Sequence, residues 1–226
     1  MKRNRKKVFA LLTGCLFATT STSAQRFSNT DKYLQGYYID TTGCRIEGFI
    51  AMDEISLESF NFKKQLGGKK EPVSVSQCRS FSFEQHVFCT ITDITIRTRL
   101  WSYHFNRVFA EQMADGPIQL FRLYFKPGKV GYMRYVSLAS RFASGDAAQG
   151  AGMFLNQKYV NYFLKKTNDT SGYCFVGKKP KQFKKVLSAY LKDDDQLVHK
   201  INTIRDYSFN NIESVIREYN QDIRNK

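Results

Sequence analysis

Three histidines, five cysteines and twenty carboxylates supply the chain's reactive side chains. In His86-Val87-Phe88-Cys89 an imidazole and a thiol lie three residues apart, and Cys78 could complete a three-ligand set for zinc. On a strand, residues three apart face opposite sides, so His86 and Cys89 could share an ion only at a distorted turn. A thiol nucleophile needs a base within reach. The candidate bases are His86, His104 and His199, and Cys44, in a turn pattern, is the most accessible thiol. Asp53, Glu54 and Glu58 could act as glycosidase carboxylates, but their setting matches that of solvated surface acids. Gly145 and Gly150 have P-loop spacing, yet Ala151-Gly152 stands where Lys-Ser/Thr is required. Nor is there a Gly-x-Ser-x-Gly elbow. The expectation is no catalytic residue, no bound metal and no cofactor.

Charge is the more usable signal, at a net +15. Lys63, Lys64, Lys69 and Lys70 flank one loop, and Lys178, Lys179, Lys181, Lys184 and Lys185 cluster near a helical pattern. Lys181 and Lys185 are four apart and away from the Phe183/Leu187 stripe, which describes an amphipathic cationic face. It is either a binding surface for anionic lipid or glycan, or an ordinary solvated face. The nineteen Phe and thirteen Tyr alternate as core residues do, which argues against base-stacking platforms, and the N-terminal export signal favours lipid or glycan over nucleic acid as the partner.

The N-terminus reads as an export signal. Lys2, Arg3, Arg5, Lys6 and Lys7 precede a short apolar stretch over 8–18, and Thr22-Ser23-Ala24 offers small residues for cleavage between Ala24 and Gln25. Leu12-Thr13-Gly14-Cys15 is a competing loose lipobox, which would place a lipid on Cys15. Segment 1–24 holds five basic residues and no acid, so its removal lowers the net charge from +15 to +10. No later run has the roughly 20 apolar residues of a transmembrane helix. The expected location is the periplasm or the outer-membrane or cell surface, where Cys44, Cys78, Cys89 and Cys174 could form disulfides in any of three full pairings or remain free.

These residues need elements to hold them. Residues 36–40 and 45–50 read as a hairpin about Gly43, and 73–83 and 87–97 as alternating strands. Residues 106–114 have helical spacing at Val108, Phe109, Gln112 and Met113. A second hairpin joins 118–126 to 130–138, a Gly/Ala/Ser-rich loop covers 143–152, and 159–166 and 173–176 read as strands. After Pro180, helical stripes run through Phe183, Val186, Leu187, Tyr190 and Leu191, then Leu197, Ile201 and Ile204, then Ile212, Val215, Ile216 and Tyr219. Residues 193–195 and Ser208 stand as caps. The expectation is an α+β fold. An antiparallel β-rich domain over 25–177, with one short internal helix, precedes a helical segment over 178–226 of about three helices.

The run Gly36-Tyr37-Tyr38-Ile39 … Gly43 … Ile46-Glu47-Gly48-Phe49-Ile50, following a signal ending Ala-Gln, resembles the opening of a group of uncharacterised exported Bacteroidetes envelope proteins. Val108-Phe109 … Gly116 … Leu120-Phe121 and Leu187 … Tyr190-Leu191 … Leu197 … Ile201 … Tyr219-Asn220 are similar to that group's middle and tail, with Cys44 in place of the usual turn Asp. The resemblance implies an envelope setting and no established activity. Asp40-Thr41-Thr42 also resembles an O-glycosylation acceptor of such bacteria. The functional expectation is a non-catalytic envelope protein that acts by interaction with an unknown envelope partner or as an accessory module. The alternatives are a binder of anionic lipid or glycan around 178–185 and, more remotely, a thiol- or metal-dependent enzyme.

Overall fold

The computed structural model describes residues 33–97, 102–125 and 160–224. The signal and its Ala24/Gln25 cut, Cys15, the strand expected over 130–138 and the loop over 143–152 lie outside the described residues. The described strands are β1 (Tyr33–Asp40), β2 (Arg45–Ala51), β3 (Ser59–Lys63), β4 (Glu71–Ser74) and β5 (Cys78–Phe83), followed by β6 (His86–Arg97), β7 (Ser102–Ala114), β8 (Ile118–Tyr124), β9 (Val160–Lys166) and β10 (Cys174–Val176). They form one sheet in the order β10-β9-β8-β7-β6-β5-β1-β2-β3-β4, with antiparallel pairing throughout. Helices α1 (Pro180–Tyr190), α2 (Asp195–Thr203) and α3 (Ile212–Arg224) follow. The class is α+β.

The β1–β2 hairpin forms where the turn chemistry demands it. Gly43 takes φ +94°, and the Asp40 carboxylate accepts hydrogen bonds from the backbone N–H groups of Thr42 and Cys44, each at 2.9 Å. Such local capping is what favours Asp and Gly in turns. The region expected as one strand over 73–83 divides into β4 and β5. Between them Gln77 N–H donates to the Ser74 carbonyl at 3.0 Å, while the Gln77 side-chain oxygen accepts from Ser74 N–H at 3.0 Å. That side-chain bond holds a turn which the Val/Ser/Phe alternation conceals.

The helix expected over 106–114 is instead the second half of β7. Phe109 packs into a phenylalanine-rich cluster with Phe60, Phe81, Phe83 and Phe88, whereas Val108 and Ala110 enter a different cluster with Ile91, Ile94 and Leu123. Both faces of β7 are covered here, so four consecutive residues from Val108 to Glu111 are buried. A strand buried on both faces loses its period-two signature, and helix-favouring Ala, Glu, Gln and Met then mimic a helical stretch.

The sheet curls on itself. The N–H of Phe109 donates to the Leu57 carbonyl at 2.8 Å, which brings the approach to β3 against β7. Phe60 lies 5.7 Å from Phe109 and 4.2 Å from Phe81, centroid to centroid. The β10 end of the sheet is covered by the helices: Ile118, Leu120, Leu164 and Val176 share one buried cluster with Phe183, Leu187, Ile201 and Ile216. Asp194 caps α2 by accepting from Leu197 N–H at 3.0 Å. Ser208 makes no side-chain cap bond; it precedes a short 3-10 turn, Phe209–Asn211, that leads into α3. Ile204 leaves its expected stripe, because α2 has ended at Thr203 and Ile204 is extended and 44% exposed. No helix among the described residues is long and apolar enough to cross a membrane.

Candidate functional site

Pro180 opens α1, where its missing N–H costs nothing and its fixed φ suits the first turn. Phe183 and Leu187, one turn apart, are fully buried and fix the roll of the helix. That roll sends Lys181 and Lys185 to solvent. Lys179, at the helix N-cap, is exposed as well. Lys184 lies at the margin, and its Nζ donates to the Asn202 carbonyl at the end of α2 (2.8 Å). A cation there also meets the negative end of a helix dipole.

Opposite α1 runs the connection from α2 to α3. It is held from behind: the Tyr207 hydroxyl donates to Glu218 of α3 at 2.9 Å, and Glu218 pairs with Lys200 of α2 at 2.7 Å. Phe209 packs edge-on to Tyr162 of β9, centroids 5.1 Å apart, and 6.5 Å from Phe183. Between α1 and this connection opens a cleft of about 420 Å³, within the range of small-molecule sites. Its cations are Lys178, Lys184 and Arg205; its rings are Phe183, Tyr207 and Phe209. Ser208 and Asn210 add hydrogen-bonding groups, and none of the described residues lining it is acidic. The Lys178 ammonium lies 5.7 Å from the centre of the Phe209 ring, close enough for a cation–π contact. Burial pushes the Lys178 ammonium down to about 8.

The structure thus gathers two of the five expected lysines, Lys178 and Lys184, at one cleft and leaves Lys179, Lys181 and Lys185 outside its lining. The residues 204–210 that complete it belong to no motif. The available signal was an aromatic pair, Tyr207 and Phe209, beside Arg205 and Asp206 between two helical stripes.

A second polar cluster lies inside the sheet. Glu111 accepts from His86 Nδ1 at 2.7 Å on one carboxylate oxygen and from Arg122 on the other, with Nε at 3.0 Å. Burial would raise the Glu111 carboxyl, but the His86 hydrogen bond and the Arg122 charge outweigh it and hold the group below the ordinary carboxylate range. His86 is the first residue of β6 and packs on Phe83, centroids 5.5 Å apart. Cys89, on the other face, has Sγ 3.6 Å from Gln112 Oε1. Cys78 is buried, with its thiol directed to the Ser80 carbonyl at 3.2 Å. The proposed His86/Cys89/Cys78 set is therefore not brought together, and among the described residues no group of three ligands could hold a metal.

His104 is on β7 beside Thr95, at 3.2 Å, and His199 is on the exposed side of α2. All four described cysteines are free thiols, with Cys44 exposed at the hairpin. Burial raises Cys78 to about 12 and Cys89 to about 11, which keeps both as thiols. Glu54 pairs with Lys70 at 2.6 Å and accepts from Asn61 at 2.7 Å, while Glu58 is exposed. Lys63 covers the Tyr33 ring at 4.1 Å, and Lys64 and Lys69 are exposed. No protein-family model, curated protein or solved structure matches the chain.

Proposed function

We propose that this is an exported, non-catalytic envelope protein that acts by binding, and that its ligand site is the cleft between α1 and residues 204–210. The observation that carries this reading is the lining itself: three cations and three aromatic rings around about 420 Å³, with no acid among the described lining residues. A cleft that concentrates like charges favours an anion from outside. Burial lowers the Lys178 ammonium, and an anion held beside it favours its charged form. Groups perturbed in this way cluster at functional sites.

Binding to dextran sulfate and to anionic vesicles tests the reading. Lys178→Glu combined with Arg205→Glu should weaken retention at low salt at least about tenfold, as expected when charge-assisted contacts are lost. Lys64→Glu with Lys69→Glu, outside the cleft, should change it much less. Protonation gives a second handle: Lys178 loses its charge as pH rises through about 8, so binding should fall across that window. Lys178→Arg should hold its binding above it, because arginine stays charged. Equal retention by the wild type and the cleft double variant would reject the site.

A further inference from the structure

Resting on that binding site, we infer that the cleft takes a soluble acidic saccharide, one sugar ring lying on the Phe209/Tyr207 wall with its acid group against Lys178 and Arg205. The order of side chains along the connection points to this class. Tyr207, Ser208, Phe209 and Asn210, four consecutive residues, alternate rings and hydrogen-bonding groups along one wall. A pyranose has the same mixture on a single small body. Its axial C–H bonds form an apolar, weakly positive face that suits the negative face of an aromatic ring, and its hydroxyls at the rim require donors and acceptors. An inorganic anion would make no use of the Tyr207 and Phe209 rings. An acyl chain would need a continuous apolar wall with the charge confined to one end, and here the cations Lys178, Lys184 and Arg205 come from both sides of the cleft.

The acid group follows from those cations. Arginine presents a planar fork that matches a carboxylate or sulfate in two parallel hydrogen bonds. The Lys178 ammonium, at 5.7 Å from the Phe209 ring centre, couples the charged and aromatic parts of the site. The floor is already built: Phe183 is 1% exposed, and Phe209 is braced by Tyr162 at 5.1 Å. A ring platform that needs no ordering on binding loses less affinity to entropy.

Calorimetry and saturation-transfer NMR on the full chain test this with four probes: an oligogalacturonate, its neutral methyl ester, inorganic phosphate, and phosphatidylglycerol vesicles. The oligogalacturonate should bind with saturation transfer strongest at the protons of one ring face, and the methyl ester at least about tenfold more weakly. Phe209→Leu keeps apolar packing but removes the flat ring, and should weaken oligogalacturonate several-fold, about what a ring contact is worth, with its thermal midpoint checked alongside. Oligogalacturonate and phosphate binding equally, with no effect of Phe209→Leu, would overturn the saccharide assignment and leave the anion site standing. Vesicle binding without oligogalacturonate binding would overturn it in favour of a lipid headgroup. Failure of every anionic probe would overturn both the assignment and the binding site beneath it.

Discussion

Glu111 stands in β7 with Arg122 opposite it on β8 and Phe88 opposite it on β6, so its carboxylate is enclosed by a cation on one side and aromatic surface on the other. His86 and Arg122 make its charge tolerable, and each in turn depends on that charge. Removing one member of a buried ionic cluster strands the rest, so Glu111→Gln should cost about 3 kcal/mol, read as a lower urea midpoint at unchanged slope. The pH dependence has a definite sign. The folded-state carboxyl is held below its ordinary 4.5, so its contribution is complete above the unfolded value and is lost as pH falls through the folded value. The wild-type thermal midpoint should therefore drop more steeply below about pH 4.5 than that of Glu111→Gln. Neither Glu111 nor Arg122 is marked in the sequence: eleven positions separate them, and only the β7–β8 register makes them neighbours. His86 was visible as a reactive side chain, but its partner was not.

At the scale of elements, α3 is fastened to the sheet by an amide that imitates a strand. Asn220 Oδ1 accepts from Ile118 N–H at 3.0 Å, and its Nδ2 donates to the Ile118 carbonyl at 2.8 Å. The approach is close because residue 116 is glycine at φ +148°; a Cβ there would lie 2.8 Å from Asn220 Cγ. Asn220→Ala leaves two backbone groups of Ile118 without their partner in a buried place, an expected loss of about 2 kcal/mol. Hydrogen exchange at the Ile118 amide should accelerate to match; exchange as slow as in the wild type would show that other contacts carry the dock. The helices themselves were legible, since Phe183/Leu187, Leu197/Ile201 and Ile212/Val215/Ile216/Tyr219 keep turn spacing on a single buried side. β7 was not, because burial on both faces removes the alternation by which a strand is recognised.

Taken as a whole, the described body unites a curled sheet with a helical cover through a shared core. Ile118, Leu120, Leu164 and Val176 are buried beneath α1, α2 and α3, so the helices do for the β10 end what the phenylalanine cluster does for the other. A chain ending at residue 177 would expose that apolar face to water. It should lose its cooperative thermal transition and bind ANS as partly folded states do. A sharp transition in the shortened chain would instead show the sheet stable on its own.

The amino-acid sequence by itself determined the antiparallel hairpin at Gly43, the amphipathic helices of the tail and the excess of lysine about α1, because each depends on local periodicity or turn chemistry. Only the tertiary structure decided that Lys178 and Lys184 face Arg205, Tyr207 and Phe209 across a cleft, that His86 meets Glu111 of a different strand, and that residues 106–114 are strand. Each of these depends on which distant segments cover which face. Burial and long-range register are properties of the packed chain, and no local pattern encodes them.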